Sequence, residues 1–288
     1  MHDDGRVSLK RELGQPTAAV RRFVDDRLPW GERARAPWGA ALRQVPPLLP
    51  PAPPEGEEVP SAAIGHALSA RITWEFAPLD HPGLAAGAEL VGAAGADRAL
   101  LAELLEVLAG PRPGSVEVAA RLAWHAGLLD RAQRTGRADD PTLAPLVSAV
   151  DLGSLIAAAP DLWVADVMAV ADVAWDPLGS LRGPGARARV AIPAGDRFGG
   201  VEAELVARDT LVDLSATTSP KARARDLEVL VITALLDVDD ELGITEVAVA
   251  PLRFGALVAW DLEGLLCELA DDDVTVEEMR ADLAARLG

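Results

Sequence analysis

The chain of 288 residues contains one cysteine, Cys267, and no tyrosine. A single thiol excludes an internal disulfide and any zinc site built from several cysteines. No run of 18 or more apolar residues is free of charges and helix breakers, so the sequence predicts no membrane span. Residues 1–8 lack the apolar stretch of a secretion signal. Together these absences predict a cytoplasmic protein.

Positive charge is also scarce. Lys and Arg total 27 against 45 Asp and Glu, which gives a net charge of −18, and Lys10 and Lys221 are the only lysines. Proteins that hold a phosphate backbone usually present a basic surface, because counterion release supplies much of their affinity. The basic run Lys221 to Arg225 could still meet a phosphate, but a solvated helix surface is its ordinary interpretation. We therefore expect a protein partner or a homo-oligomer rather than nucleic acid, and no membrane.

Composition divides the chain into four parts. Residues 1–44 form an N-terminal helical arm, and the proline-rich residues 45–60 form a stiff linker, because proline excludes helix and central strand. Residues 61–175 are mostly helical and pack on a core, residues 176–288, that ends in acidic helices. The sequence thus predicts an α/β protein with a helical N-terminal half followed by a mixed sheet.

Apolar spacing and capping residues locate several helices. One is predicted over 18–28 with Thr17 as its cap, and another over 97–108 with Asp97 as its cap. Further helical patterns cover 61–76, 115–137, 161–175 and 222–241. His125, on the apolar helix over 115–137, is expected to be a core or interface residue rather than a ligand.

The most informative stretch is a predicted hairpin. Residues 201–207 alternate strictly, with Glu202 and Glu204 on the face opposite Ala203 and Leu205, and residues 210–217 alternate too. A turn at 208–209 would place Glu204 directly across from Asp213, and Glu202 across from Ser215. Like charges in such pairs are destabilising. A divalent cation shared by the acids is the functional explanation, and a solvated face of an antiparallel hairpin is the ordinary one.

This hairpin resembles the active-site hairpin of the PD-(D/E)XK nuclease superfamily, in which one strand supplies an acid and the next supplies an acid-x-Lys triplet. Strand patterns at 187–192, 244–250 and 256–260 surround the hairpin and the helix over 222–241. The order strand, strand, strand, helix, strand matches the superfamily's restriction-endonuclease-like core. The resemblance covers about the last hundred residues and implies Mg²⁺ as cofactor, with Glu204 and Asp213 as ligands. Glu202 is a candidate third ligand.

Three positions depart from the superfamily pattern. Ser215 stands where the motif lysine would be, and Val229 stands where many relatives place a glutamine. In Ile64–Arg71, the counterpart of an upstream helix, Ser69 stands at the position of another acid. His66 lies on this predicted helix and could approach the hairpin. The chain therefore resembles a divergent member that lacks the motif lysine.

Two functions follow from the resemblance. The first is a catalytically degenerate nuclease-like protein that acts as a binding or scaffold module. The alternative is a Mg²⁺-dependent nuclease acting on DNA or RNA through a modified site, in which Glu204 and Asp213 hold the metal and Ser215 orients water. Serine cannot supply the charge of lysine, so Lys221 or Arg223 would have to supply it.

Overall fold

A computed structural model describes residues 9–29, 32–55, 58–198 and 200–288. Residues 1–8, 30 and 31 of the predicted arm, and residues 56 and 57 of the predicted linker, lie outside the described residues. The described chain forms these helices: α1 (Leu9–Glu12), α2 (Ala19–Arg27), α3 (Glu32–Gln44), α4 (Ser61–Thr73), α5 (Pro82–Ala93), α6 (Arg98–Ala109), α7 (Val116–Thr135), α8 (Ala144–Ser148), α9 (Leu152–Ala157), α10 (Asp161–Leu178), α11 (Ala224–Leu235), α12 (Leu262–Ala270) and α13 (Val276–Leu287). No helix in the described ranges is both long enough and apolar enough to span a bilayer.

Five strands form one mixed sheet, in the order in which they occur along the chain. They are β1 (Arg187–Ile192), β2 (Val201–Ala207), β3 (Thr210–Ser215), β4 (Glu246–Pro251) and β5 (Val258–Asp261). β1, β2 and β3 pair antiparallel, β3 and β4 pair parallel, and β5 returns antiparallel to β4. A parallel pair needs a crossover connection, and α11 lies within it. The predicted α/β class with a mixed sheet and an N-terminal helical half is therefore confirmed.

Two hydrophobic cores cover the two faces of the sheet. The first joins α4, α5, α6, α7 and α10 to residues such as Leu205, Val212 and Ala248. The second joins α11, α12 and α13 to residues such as Leu211 and Val247. The second core also contains Phe23 and Trp38, so α2 and α3 pack with the C-terminal half of the chain.

The predicted element boundaries meet different outcomes. β1 and β2 have the predicted bounds, and the Asp97 side chain caps α6 by accepting from Ala99 N. The Thr17 cap is wrong, because α2 begins one residue later and its N-cap is Ala18, which makes no side-chain hydrogen bond. The helix over 222–241 is shorter than predicted, since α11 ends at Leu235.

A side-chain cap accounts for the early end of α11. Asp237 closes the loop after α11 by accepting from the backbone N–H groups of Glu241 and Leu242, both at 3.0 Å. These two bonds give partners to backbone N–H groups of the loop at the point where the predicted helix would have continued.

His125 is fully buried in α7, which confirms its assignment to the core, and burial lowers its pKa to about 4.

Candidate functional site

The hairpin of β2 and β3 begins with the predicted register. The turn lies at Arg208 and Asp209, and the backbone pairs are Leu205↔Val212, Val206↔Leu211 and Ala207↔Thr210. Pairing between the two strands stops there, so the expected pairs Glu204–Asp213 and Glu202–Ser215 do not form.

At the end of this ladder a side chain replaces a backbone acceptor. Leu214 N donates to Glu204 Oε2 at 2.8 Å. A carboxylate thus takes the place of the backbone carbonyl that would have accepted this N–H in a continuous ladder. The site is therefore a point where β2 and β3 separate.

The side chains of β2 change face at the same point. Ala203 and Val206 pack in the second core, whereas Leu205 and Ala207 pack in the first. The predicted strict alternation, with Ala203 and Leu205 on one face, is therefore wrong. An irregularity of the kind found at β-bulges shifts the pattern by one residue at Glu204 and redirects its side chain.

On the α7 side of the sheet, acids and arginines form a compact ion-pair network. Arg189 of β1 donates through Nη2 to Asp130 of α7 and contacts Glu202 Oε2 at 3.3 Å and Glu204 Oε1 at 3.8 Å. Arg134, one turn after Asp130, contacts Asp130 at 3.1 Å and Glu202 at 3.3 Å. Every acid in this network therefore touches at least one guanidinium group.

His66 joins the network from α4. Its Nδ1 lies 2.6 Å from Asp130 Oδ2, so His66 meets the network through α7. Its helix, α4, contacts β2 and β3, as the sequence led us to expect. Burial alone would raise the pKa of Asp130, but the hydrogen bond from His66 and the charges of Arg189 and Arg134 hold that pKa far below its usual range. These contacts favour the ionised form of Asp130, which lies at the centre of the network.

Local structure explains how Arg189 reaches this position. Its side chain is only 5% exposed, and its φ of 53° is left-handed backbone, which a non-glycine residue rarely adopts in a strand. Asp130 and Arg134 share one face of α7 at the i, i+4 spacing. The strained backbone is compensated by the charged contacts of the Arg189 side chain.

A small cavity adjoins the network. It has a volume of about 10 Å³, and its lining includes His66, Ser69, His81, Asp130 and Arg189. Burial, followed by the charge of Arg189, lowers the pKa of His81 to about 4, which makes this imidazole neutral at physiological pH. A space of that volume has room for about one water molecule and none for a substrate.

On the α11 side of the sheet, Asp213 has a different environment. Burial, together with the charge of Glu204, raises the pKa of Asp213 to about 7. The charge of Asp226 acts in the same direction, while those of Lys10 and Arg223 oppose it. Asp213 therefore holds a proton over much of the neutral range, instead of being stabilised as an anion.

The remaining predicted positions lie around this hairpin. Ser215 is the half-buried last residue of β3 and pairs with Pro251 of β4. Val229 is partly buried against the second core, and Ser69 is buried at the small cavity. Arg223 is exposed and donates to Asp226 at 2.7 Å.

The three predicted metal ligands are not gathered into one cluster. Glu202 contacts Arg134 and Arg189, Glu204 lies between the two sides, and Asp213 faces α11. Over the described ranges, no three His, Cys, Asp or Glu side chains are placed to share a metal ion. The charge of Glu204 acts on Asp213, so these two carboxylates lie near each other. The residues present therefore do not fit the predicted three-carboxylate magnesium site.

Sequence reasoning missed Asp130, Arg134, Arg189 and His81. One local signal was available, since Asp130 interrupts the apolar stretch of α7 and an acid in such a stretch is rarely buried without a partner. Arg189 gave a similar signal, because it is a charged residue in the middle of a predicted strand. Neither signal indicated that two residues 59 positions apart in the chain are partners.

Comparisons with known proteins add no relative. Neither the protein-family models, nor the curated proteins, nor the solved structures contain a match to this chain.

Proposed function

We propose that the chain is a divergent PD-(D/E)XK nuclease-like protein that has lost catalysis and acts as a cytoplasmic binding or scaffold module. The order of its elements supports this proposal, because β1, β2, β3, α11 and β4 follow one another as strand, strand, strand, helix and strand. The sheet is mixed and has helices on both faces. Ser215 in place of the motif lysine supports the loss of catalysis.

The observation that carries the proposal is the position of Arg189. Its buried guanidinium contacts Asp130, Glu202 and Glu204, so a side-chain cation already pairs with two of the three carboxylates predicted as metal ligands. Arg134 adds a second positive charge to Glu202. A carboxylate already paired in a buried network gains little from a metal ion, because the metal would first have to displace the arginine.

The partner in this proposal is a protein, either another chain or a second copy of this one. A net charge of −18 favours a different chain with a basic surface over a polyanion or a second acidic copy. Size-exclusion chromatography with light scattering distinguishes a homo-oligomer from a monomer that recruits a different chain.

A cleavage assay tests the loss of catalysis. Labelled single- and double-stranded DNA and RNA are incubated with the protein in Mg²⁺ or Mn²⁺, beside the variants Asp213→Asn and Asp196→Asn. Asp196 is an exposed acid outside the hairpin network and serves as the matched control. We expect no cleavage that depends on Asp213.

The alternative is a Mg²⁺-dependent nuclease with a modified site. It is favoured by one observation, the interacting pair of Glu204 and Asp213 with the positive charges of Lys10 and Arg223 nearby. In this alternative, Glu204 and Asp213 would hold the metal and Ser215 would orient water. Metal-dependent cleavage that is lost in Asp213→Asn and kept in Asp196→Asn would establish it and refute the degenerate module.

A further inference from the structure

A second site lies in the helical half, at the ends of α4 and α6. It is a cleft of about 450 Å³, a volume within the range of small-molecule sites. Its apolar and aromatic lining is Trp74, Phe76, Ala77, Pro78, Ala109 and Pro111. The two prolines restrict the backbone of the walls, so this part of the cleft is rigid before any ligand enters.

The charged wall of the cleft carries a surplus of positive charge. Glu75 contacts three arginines, at 2.6 Å to Arg71, 2.8 Å to Arg112 and 3.5 Å to Arg182. Three guanidinium groups around one carboxylate leave two positive charges uncompensated within this group. In a chain with a net charge of −18, such a surplus is a local exception to the overall charge.

Arg182 is the arginine most available to a ligand. Its side chain is 59% exposed, and its contact with Glu75 is long at 3.5 Å. The guanidinium lies 4.9 Å from the ring centroid of Trp175, which itself packs against Phe76 at 5.9 Å. A guanidinium beside an aromatic ring still presents N–H donors around its edge, and such donors can receive a carboxylate or a phosphate.

We propose that this cleft binds a small organic anion, with its flat apolar body against Trp74 and Phe76 and its carboxylate or phosphate on Arg182 and Arg112. The cleft shares no lining residue with the hairpin network. The proposal therefore goes beyond the binding or scaffold role and stands whether or not the hairpin is active.

Calorimetry and tryptophan fluorescence test the site, since Trp74 lines the cleft and Trp175 packs against two lining residues, Phe76 and Arg182. The probes are phenyl phosphate, benzoate, inorganic phosphate and the neutral benzyl alcohol. We expect saturable binding of phenyl phosphate or benzoate, and weaker binding of inorganic phosphate and benzyl alcohol, which each lack one of the two recognition elements. The ratio of phenyl phosphate to benzoate affinity identifies which anion the arginines prefer.

Variants assign the binding to the arginine. Arg182→Gln should weaken binding about tenfold or more, and Arg182→Lys should weaken it less, because lysine keeps the charge but not the planar fork. Arg22→Gln removes an exposed arginine of α2 outside the cleft and should leave the affinity unchanged. Absence of saturable binding by either aromatic anion, or equal affinity in wild type and Arg182→Gln, would overturn the proposal.

Discussion

The acids on the two sides of the hairpin have their charge balanced in opposite ways. On the α7 side, Asp130 and Glu202 are anions held by Arg189 and Arg134, and the pKa of Asp130 is far below its usual range. On the α11 side, the pKa of Asp213 is raised to about 7. Glu204 lies between them, in contact with Arg189 and with the backbone of β3.

This difference teaches how the chain balances a group of neighbouring acids. Arginine compensates the charge on one side, and a proton compensates it on the other. The arginine belongs to the chain itself, and the proton comes from the solvent. Substitutions can remove the arginine pairing and the protonation of Asp213 separately, which makes the comparison testable.

The largest effect is expected from removing the buried cation. Arg189→Met leaves Asp130 and Glu202 with Arg134 as their remaining arginine, and unpaired buried charge should lower the free energy of unfolding by about 3–5 kcal/mol. Denaturant unfolding measures this change. Arg187→Met, which removes an exposed arginine of the same strand, should cost under about 0.5 kcal/mol.

The double variant Arg189→Met with Asp130→Asn sharpens the same test. Because it removes one anion together with the cation, it should recover part of the stability that Arg189→Met loses. Equal losses in Arg189→Met and Arg187→Met, or no recovery in the double variant, would mean that the network does not balance these charges.

A smaller effect is expected from Asp213→Asn, and it depends on pH. The pKa of Asp213 is about 7 in the folded chain and near 3.8 when unfolded, so the wild type should lose stability as the pH rises from about 4 to about 7. Asparagine has no such loss. At about pH 8 the variant should be more stable than the wild type, by on the order of 1–2 kcal/mol.

Thermal unfolding across this pH range measures the Asp213→Asn difference, with Asp196→Asn as the control for loss of an exposed acid. The advantage of Asp213→Asn should shrink as the pH falls to about 4 and below, because the carboxyl of the unfolded chain, with a pKa near 3.8, then also takes up a proton. A variant that is less stable than the wild type at about pH 8 would show that Asp213 is a stabilised anion.

The smallest effect is expected at the rim of the network. The Arg134 side chain is 42% exposed, so its pairs with Asp130 and Glu202 are partly screened by solvent. Arg134→Gln should cost about 0–1 kcal/mol, and added salt should reduce this cost. A loss comparable to that of Arg189→Met would place the main compensating charge on Arg134 instead.

Local patterns predicted the elements of the sheet well. The strand patterns in 187–192 and 201–207 predicted the bounds of β1 and β2, although the alternation expected in 201–207 breaks at Glu204. The turn at Arg208 and Asp209 followed from the same patterns. Asp97 was identifiable as a cap, since a cap acts only on the adjacent turn of helix.

The candidate site was less predictable, because its chemistry depends on contacts between distant parts of the chain. Arg189 and Asp130 are 59 residues apart, and no periodicity relates a strand residue to a partner on a helix of the other half. The shift in β2 coincides with the bond from Leu214 N to Glu204, which exists only once β2 and β3 have paired. Sequence therefore predicted the acids of the hairpin but not the arginines that balance them.

The most direct test of this account is a calorimetric titration of the protein with Mg²⁺ and with Mn²⁺, in wild type and in Asp213→Ala. Because Arg189 and a proton already compensate the acids of the hairpin, we predict no saturable metal binding by the wild type. Saturable binding that disappears in Asp213→Ala would contradict the account, since it would show that Glu204 and Asp213 hold a metal ion.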